Sequence, residues 1–379
     1  MKSNYKIGDI VRLADAKNRD GKCTNLLGLS MNKEFRPSTS NIVGTDLTKY
    51  KIVKKYQFAV DFMSAIRVHK MPIALNLTDD DILVSPAYAV FEVKDENIVL
   101  PEYLMLWFKR DEFDRYADFK SDSAIRGGYD WQELCNTDIH LPSIEEQKKI
   151  VASYNVVERR ICLKRQINDN LEAIIQATFL NLHNSLSDDS ACSLSEFCTL
   201  ASSKRIFAEE YVASGVPFYR GGEITSKNKG LPISDMLYIT TDRYKEVKNK
   251  YGVPKREDIL LTAVGTLGNA YLVQDEEFYF KDGNIIWLKD FVDNSNYYIY
   301  DYLSSSLFRN VIEGISIGST QKALTIVSLS NIKIKKPSTK ELSDYYRKSK
   351  IIRTQIQNNI NEISKLISLQ SIILSTLSR

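Results

Sequence analysis

From Ser143 to Ser185 the chain contains neither glycine nor proline, and apolar side chains return at alternating steps of four and three. The series runs Ile150, Tyr154, Val157, Ile161, then Leu171, Ile175 and Leu182, with Lys164, Asn168 and Thr178 in the remaining places. A period near 3.5 residues on an unbroken helix is a seam for a second helix. At 1.5 Å per residue that helix is about 60 Å long, more than one small domain needs. Residues 340–379 repeat the pattern through Ile356, Ile360, Ile363, Ile367, Gln370, Leu374 and Leu377. The two seams are expected to bury each other. An antiparallel pairing follows from connectivity, because a parallel one needs a linker that recrosses about 60 Å. The polar places at Lys164 and Asn168 leave the seam locally weak. Setting the register and facing a bound subunit would each account for them.

On either side of the first helix the texture is globular. Residues 1–142 open with KIGDIVRL, pass through polar strand–loop material, and show β-rich runs at Gln57–Val60, Ile82–Val84 and Tyr88–Val93. Pro101–Tyr116 predicts an amphipathic helix with proline in its first turn. The loop SDSAIRGGYDW, a strand over Thr137–Leu141 and Pro142 follow. Residues 186–337 take the same course. Polar strand–loop material fills 201–252, and EDILLTAVGTLGNAYLV gives strand, glycine-marked turn and strand. Then come a strand in Phe280–Leu288, a helix over Asn296–Arg309, the loop GISIGSTQKAL, a strand over Asn331–Ile334 and Pro337. Tyr103 corresponds to Tyr298, Leu134 to Leu329, Pro142 to Pro337 and Glu146 to Glu341, all at one offset. A duplicated unit of globular domain plus long helix explains this order. The expected architecture is α+β: two pseudo-symmetric domains, 1–142 and 186–337, separated by an antiparallel two-helix coiled coil made from 143–185 and 338–379.

Composition narrows the class. A net charge of 51 − 48 = +3 neither demands nor excludes a nucleic-acid partner. No run of about 18 apolar residues predicts a membrane span, and the first residues offer no secretory leader, so a cytoplasmic location is expected. Five cysteines without a CxxC pair fit reduced thiols better than a disulfide framework or a zinc site.

Several stretches resemble the specificity subunit of type I restriction–modification systems. They are LPSIEEQKKIV (Leu141–Val151), GTDLTKYKIVKKYQFA (Gly44–Ala59), SPAYAVFEV (Ser85–Val93), PEYLMLWF (Pro101–Phe108), VPFYRGGEI (Val216–Ile224) and DILLTAVGTLGNAYLV (Asp258–Val273). The resemblance implies two target-recognition domains that each read half of a split, asymmetric site on double-stranded DNA. It also implies paired helices as the spacer, two docked modification (methyltransferase) subunits, and restriction/translocase subunits in the full complex. No cofactor is expected on this chain; S-adenosylmethionine, ATP and Mg²⁺ belong to those partners. The second junction, KKPSTKELSDYY, departs from the pattern by lacking the pair Glu146-Gln147.

Base reading calls for basic and amide side chains on glycine-rich loops. The candidates are Lys33, Arg36, Arg67, Arg126 and Gly127 (with Gly128) in the first domain. In the second they are Lys204, Arg205, Arg220, Gly221 (with Gly222), Thr266 and the run Ser319, Thr320, Gln321, Lys322.

Catalytic signals are sparse. There is no GxxxxGK[ST] loop, and no FxGxG or [DN]PP[YF] stretch of a methyltransferase. The sequence Asp81, Glu92, Lys94 has the order of a metal-dependent nuclease motif and supports the alternative of a self-contained site-specific endonuclease. His69, His140 and His183 are scattered, so neither a metal site nor a catalytic residue is assigned. GTLGNA at 265–270 is expected to be a hairpin turn.

Overall fold

The computed structural model describes residues 3–38, 44–63, 69–122, 129–233, 235–315 and 323–377. It divides into two compact units, Met1–Arg160 with Ser368–Arg379, and Ile161–Ile367. The long helices form no separate body; each contributes to both units.

In the first unit the strands β1 (Ser3–Lys6), β2 (Val11–Leu13), β3 (Gln57–Val60), β4 (Ile73–Leu75), β5 (Ala89–Val93) and β6 (Asp138–Leu141) set the frame. An antiparallel sheet runs β2-β5-β3-β4, and β1 pairs with β6. Helices α1 (Pro101–Phe108), α2 (Asp111–Asp122) and α3 (Trp131–Asn136) precede the long α4 (Ile144–Ser185). The expected single helix 101–116 is thus two. The break falls at Lys109–Arg110, where the Arg110 guanidinium turns back 4.2 Å over the Trp107 ring. Phe58 stacks on Phe91 at 4.8 Å, and Phe108 meets both edge-on, so sheet and α1 share one core.

The second unit repeats this frame. Strands β7 (Ala191–Ser193) and β8 (Thr199–Ala201) precede helices α5 (Gly221–Asn228) and α6 (Thr241–Tyr251). Strands β9 (Ile259–Thr262), β10 (Ala270–Leu272) and β11 (Ile285–Lys289) follow. Then come α7 (Asn296–Ser304), α8 (Ser306–Ile315), α9 (Ile326–Ser330), β12 (Lys333–Lys335) and α10 (Thr339–Thr376). The sheet order is β8-β11-β9-β10, with β7 paired to β12, which reproduces the first unit strand for strand. Even the caps correspond. The Asp130 carboxylate accepts from Glu133 N at 2.9 Å to start α3, and the Thr325 hydroxyl accepts from Ser328 N at 3.0 Å to start α9.

The units differ in what they insert into this frame. Between β2 and β3 lie residues 14–56, with short ladders at 27–29/35–37 and 51–53/82–84. Between β8 and β9 lie residues 202–258, which carry α5, α6 and three strands of a second four-stranded sheet. Both helices fall where polar strand–loop material was expected. The α6 sequence TDRYKEVKNKY buries only Tyr244 and Val247, too narrow an apolar stripe to stand out.

The helix seam is antiparallel. In the second unit Lys164 meets Asn359 at 2.9 Å, Asn168 meets Ile356 O at 3.4 Å, and Glu172 pairs with Arg353. Each advance of four residues on α4 matches a retreat of three on α10. Val157, Ile161, Ile175, Ile356 and Ile363 are buried, and Ile150, Leu171, Ile360, Ile367 and Leu374 are half-buried. Two places differ from expectation. Phe179, 0% exposed, takes the slot assigned to Thr178, and Asn359, 1% exposed, lies deeper than Ile360. Ile360 is drawn sideways under Gly230, whose position leaves an added Cβ only 3.0 Å from Ile360 O.

The two domain–helix junctions use different chemistry. Gln147 is fully buried; its Nε2 donates to Ile98 O and Pro142 O, and its Oε1 accepts from Leu100 N, each at 3.0 Å. Its counterpart is the buried Leu342. That junction is held instead by Asp301, which pairs with Arg353 and accepts from the Tyr345 hydroxyl at 2.6 Å. Gln147→Leu is expected to destabilise the first unit by about 1–3 kcal/mol, because three buried backbone groups lose their partner. Chemical denaturation followed by Trp fluorescence measures it.

Candidate nucleic-acid interface

The glycine-marked turn expected at 265–270 is the β9–β10 hairpin, and its loop is tightly organised. Gly268 N donates to Thr262 O at 2.9 Å, and Asn269 N donates to the Thr262 hydroxyl at 2.9 Å. Ala263 N reaches Asn284 O at 2.8 Å, and Leu324 N reaches Ala263 O at 2.9 Å. Gly268 has φ +77°, and a Cβ there would lie 2.4 Å from Ile312 Cδ1 on α8. The positive φ favours glycine there, and a Cβ would have to push the end of the Ile312 side chain aside. From the other side the Asn269 amide donates to the Thr225 hydroxyl on α5 at 3.0 Å. This scaffold leaves Thr266 exposed on the loop.

Gly221, at the start of α5, lies against Thr262 at the hairpin base: its added Cβ would sit 3.5 Å from Thr262 Cγ2. Arg220 is the N-cap residue of that helix. Its guanidinium pairs with Glu223 and donates to Asp235 O at 3.3 Å. Burial raises the Glu223 carboxyl, but Arg220 and the backbone amides outweigh it and hold Glu223 below its ordinary range. Arg220 is therefore partly spent on its own helix. Arg205 pairs with Asp282 at 2.8 Å, two residues before Asn284, and Lys204 lies 5.5 Å over the Tyr251 ring with its ammonium exposed. Arg220 and Gly221 at the start of α5 and Thr266 on the loop thus converge on Thr262, whose hydroxyl donates to Thr266 O at 2.5 Å. Ser319, Thr320, Gln321 and Lys322 lie outside the described residues, but the chain re-enters beside this loop, where Ala323 bridges Val264.

In the first unit the corresponding hairpin joins β3 and β4, closed by Asp61 N to Pro72 O at 3.0 Å. Arg67, Arg126, Gly127 and Gly128 lie outside the described residues. Arg36 is exposed on its ladder strand, with its guanidinium on Leu29 O at 3.1 Å and Pro37 O at 3.3 Å. Lys33 corrects the sequence reading. It is 5% exposed and ion-paired to Asp114 at 2.8 Å, and its ammonium donates to Phe108 O and lies over the Phe113 ring. Asp114 also accepts from Met71 N at 3.0 Å, so Lys33 belongs to the core bracing behind the hairpin.

Sequence reasoning missed other groups here. Met63 and Phe119 are large apolar side chains left exposed, and His69, in the hairpin, pairs with Asp118 at 2.7 Å beside Phe119. In the second unit Arg165, Lys229 and Arg309 line a cleft of about 780 Å³ along α4, α10 and the hairpin, and none forms an ion pair among the described residues. Isolated cations on helix faces carry no sequence signal of such convergence.

The nuclease alternative loses its residues. Glu92 pairs with Arg12 at 2.7 Å and accepts from the Gln57 amide at 2.8 Å, which hold its carboxyl below the ordinary range. The Lys94 ammonium donates to Gly8 O at 2.7 Å and Asp9 O at 3.2 Å. Asp81 precedes a strand of a different ladder, at 82–84. Among the described residues no three His, Cys, Asp or Glu side chains are grouped to hold a metal ion. The five cysteines are all unpaired thiols. No described helix is long and apolar enough to cross a membrane.

Comparison with known proteins agrees with this duplicated frame. A family model described as the type I restriction modification DNA specificity domain matches twice, over residues 4–173 and 190–367. A protein of Haemophilus influenzae named as a type I restriction enzyme specificity subunit is 32% identical over 139 residues, 36% of this chain and 33% of that one. The HindI specificity subunit of the same organism is 34% identical over 104 residues, 26% of this chain and 22% of its own length. The matches thus span a third or less of these relatives. The crystal structure of a type I restriction–modification S subunit from M. genitalium superposes with a TM-score of 0.60 at 14% identity, covering 100% of this chain and 96% of that one.

Proposed function

The chain belongs to the type I restriction–modification DNA specificity family, with two recognition domains, and we propose that each domain reads one half of a bipartite, asymmetric site on double-stranded DNA. The observation that carries this reading is the pairing of one frame with two unlike inserts. Strand order, helices and caps repeat, whereas 14–56 and 202–258 fold differently. Identical inserts would call for a repeated half-site; unlike ones call for two different sequences.

The long helices set the distance between the half-sites and dock two modification subunits. Leu163, Ile167 and Ile174 stay exposed on α4 although the seam buries Ile161 and Ile175, which leaves an apolar outer stripe for a protein partner. Adenine methylation, and the S-adenosylmethionine, ATP and Mg²⁺ it and translocation require, belong to those modification and restriction subunits. The chain itself contributes recognition without catalysis and works in the cytoplasm.

The test uses the purified complex with its modification subunits and measures duplex binding as salt is raised. Lys204→Ala is expected to weaken all sequences alike and to lower the salt slope by about one. Thr266→Glu, which sets a carboxylate on the reading loop, is expected to lose specific binding at least about tenfold. Binding that ignores salt, sequence and both substitutions would overturn the reading.

A further inference from the structure

Because α4 and α10 are counterparts in a duplicated chain, each carries a seam that could pair with its own copy in a second molecule as well as with the other helix. Something must choose between these pairings. We propose that Lys164, Asn168, Asn359 and Glu362 form a pairing code that admits α4 against α10 and rejects either helix against its copy in another chain.

The geometry is specific. Lys164 and Asn359 occupy corresponding positions, 195 residues apart, and they touch: the ammonium donates to Asn359 Oδ1 at 2.9 Å. The layer therefore lies where counterpart positions of two antiparallel helices face each other. At such a level any like pairing sets a residue against itself. In an α4–α4 pair Lys164 would face Lys164, and Ile167 would stand where α10 has Glu362. Two ammonium groups would share a seam with no carboxylate supplied by this layer. An α10–α10 pair would set Asn359 on Asn359 and leave two Glu362 carboxylates without a lysine.

Only the unlike pair satisfies every group. Lys164 lies 3.0 Å from Glu362, and the Asn359 amide donates to Asn168 Oδ1 at 2.7 Å. Asn168 in turn donates to Ile356 O at 3.4 Å. The Lys164 and Glu362 side chains are only 23% and 29% exposed, so solvent screens them incompletely. A second asymmetry reinforces the first. Arg353 on α10 meets Glu172 on α4, whereas the counterpart of Glu172 is Ile367, so an α10–α10 pair offers the buried arginine no such carboxylate. A polar seam residue that specifies partner at some cost in stability is an established role for such layers.

The test uses two full-length chains, Lys164→Glu and Glu362→Lys, under different affinity tags. Alone, each sets like charges in its own layer. When the two are refolded together, α4 of one chain matches α10 of the other at both layers. Co-refolding is expected to give at least about tenfold more 1:1 dimer, measured by tag capture and light scattering, than either variant alone. The double variant K164E/E362K, with the pair restored in reverse, is expected to give the same monomer yield as the parent chain. Equal dimer yields from mixed and separate refolding would overturn the proposal. So would a double variant that fails to recover the parent's monomer yield. No DNA enters the experiment, so its result is independent of the recognition reading.

Discussion

Arg353→Met is expected to cost the second unit about 3–5 kcal/mol, because it strands a buried carboxylate. Asp301 is fully buried on α7, and the Arg353 side chain is 5% exposed. Burial opposes the guanidinium charge, but Asp301 and Glu172 outweigh it and hold Arg353 above its ordinary range. The same guanidinium lies 4.7 Å over the Tyr300 ring, so one side chain ties both long helices to the domain core. The double variant Arg353→Met/Asp301→Leu is expected to recover most of that loss, since apolar groups of similar volume can replace a buried ion pair at little cost. Urea unfolding of the two variants measures the difference. Equal losses would show that packing, not the stranded charge, dominates.

Ile363→Asp is expected to open the helix pair at a cost on the order of 4–5 kcal/mol, by adding an uncompensated charge to the loss of a buried branched side chain. Ile363 is 2% exposed in the seam, whereas Ile360, an equal candidate by spacing, is only half-buried. Ile360→Asp is therefore the milder change. Hydrogen exchange is expected to show lost protection along α10 around residue 363, with the β2-β5-β3-β4 and β8-β11-β9-β10 sheets still protected. On the proposed reading, bipartite recognition is expected to be lost with it, because each domain would then read alone without the gain from joint binding.

The frame was legible in the sequence because its signals are periodic or repeated. The seam spacing located α4 and α10, and the constant offset from Tyr103/Tyr298 to Glu146/Glu341 anticipated the duplication that the sheets repeat. The missing Glu-Gln pair at the second junction also had structural meaning, as buried Leu342 stands where Gln147 clasps three backbone groups. What escaped was decided by tertiary contacts. Lys33 looks like a loop cation in MNKEFRP, but Asp114, far along the chain, draws it inside. Asn359 looks like an outward polar residue beside Ile360, yet Lys164 and Asn168 satisfy it at the centre of the seam. Helix α5 begins at the glycine pair Gly221-Gly222, which composition assigns to a loop. Its start is capped by the Glu223 carboxylate, which accepts from Arg220 N at 2.8 Å, but with arginine rather than Ser, Thr, Asp or Asn at the N-cap the sequence lacks the usual start signal.

Two unlike domains of one chain are proposed to read two different half-sites at a fixed separation. Mapping methylated adenines across the genome of cells that express this chain with its modification subunits tests it most directly. The expected result is one asymmetric motif made of two unlike half-sites at a single spacing, and replacing residues 202–258 is expected to change only one of those halves. A contiguous motif, a palindromic one, or a motif in which both halves change together would contradict it.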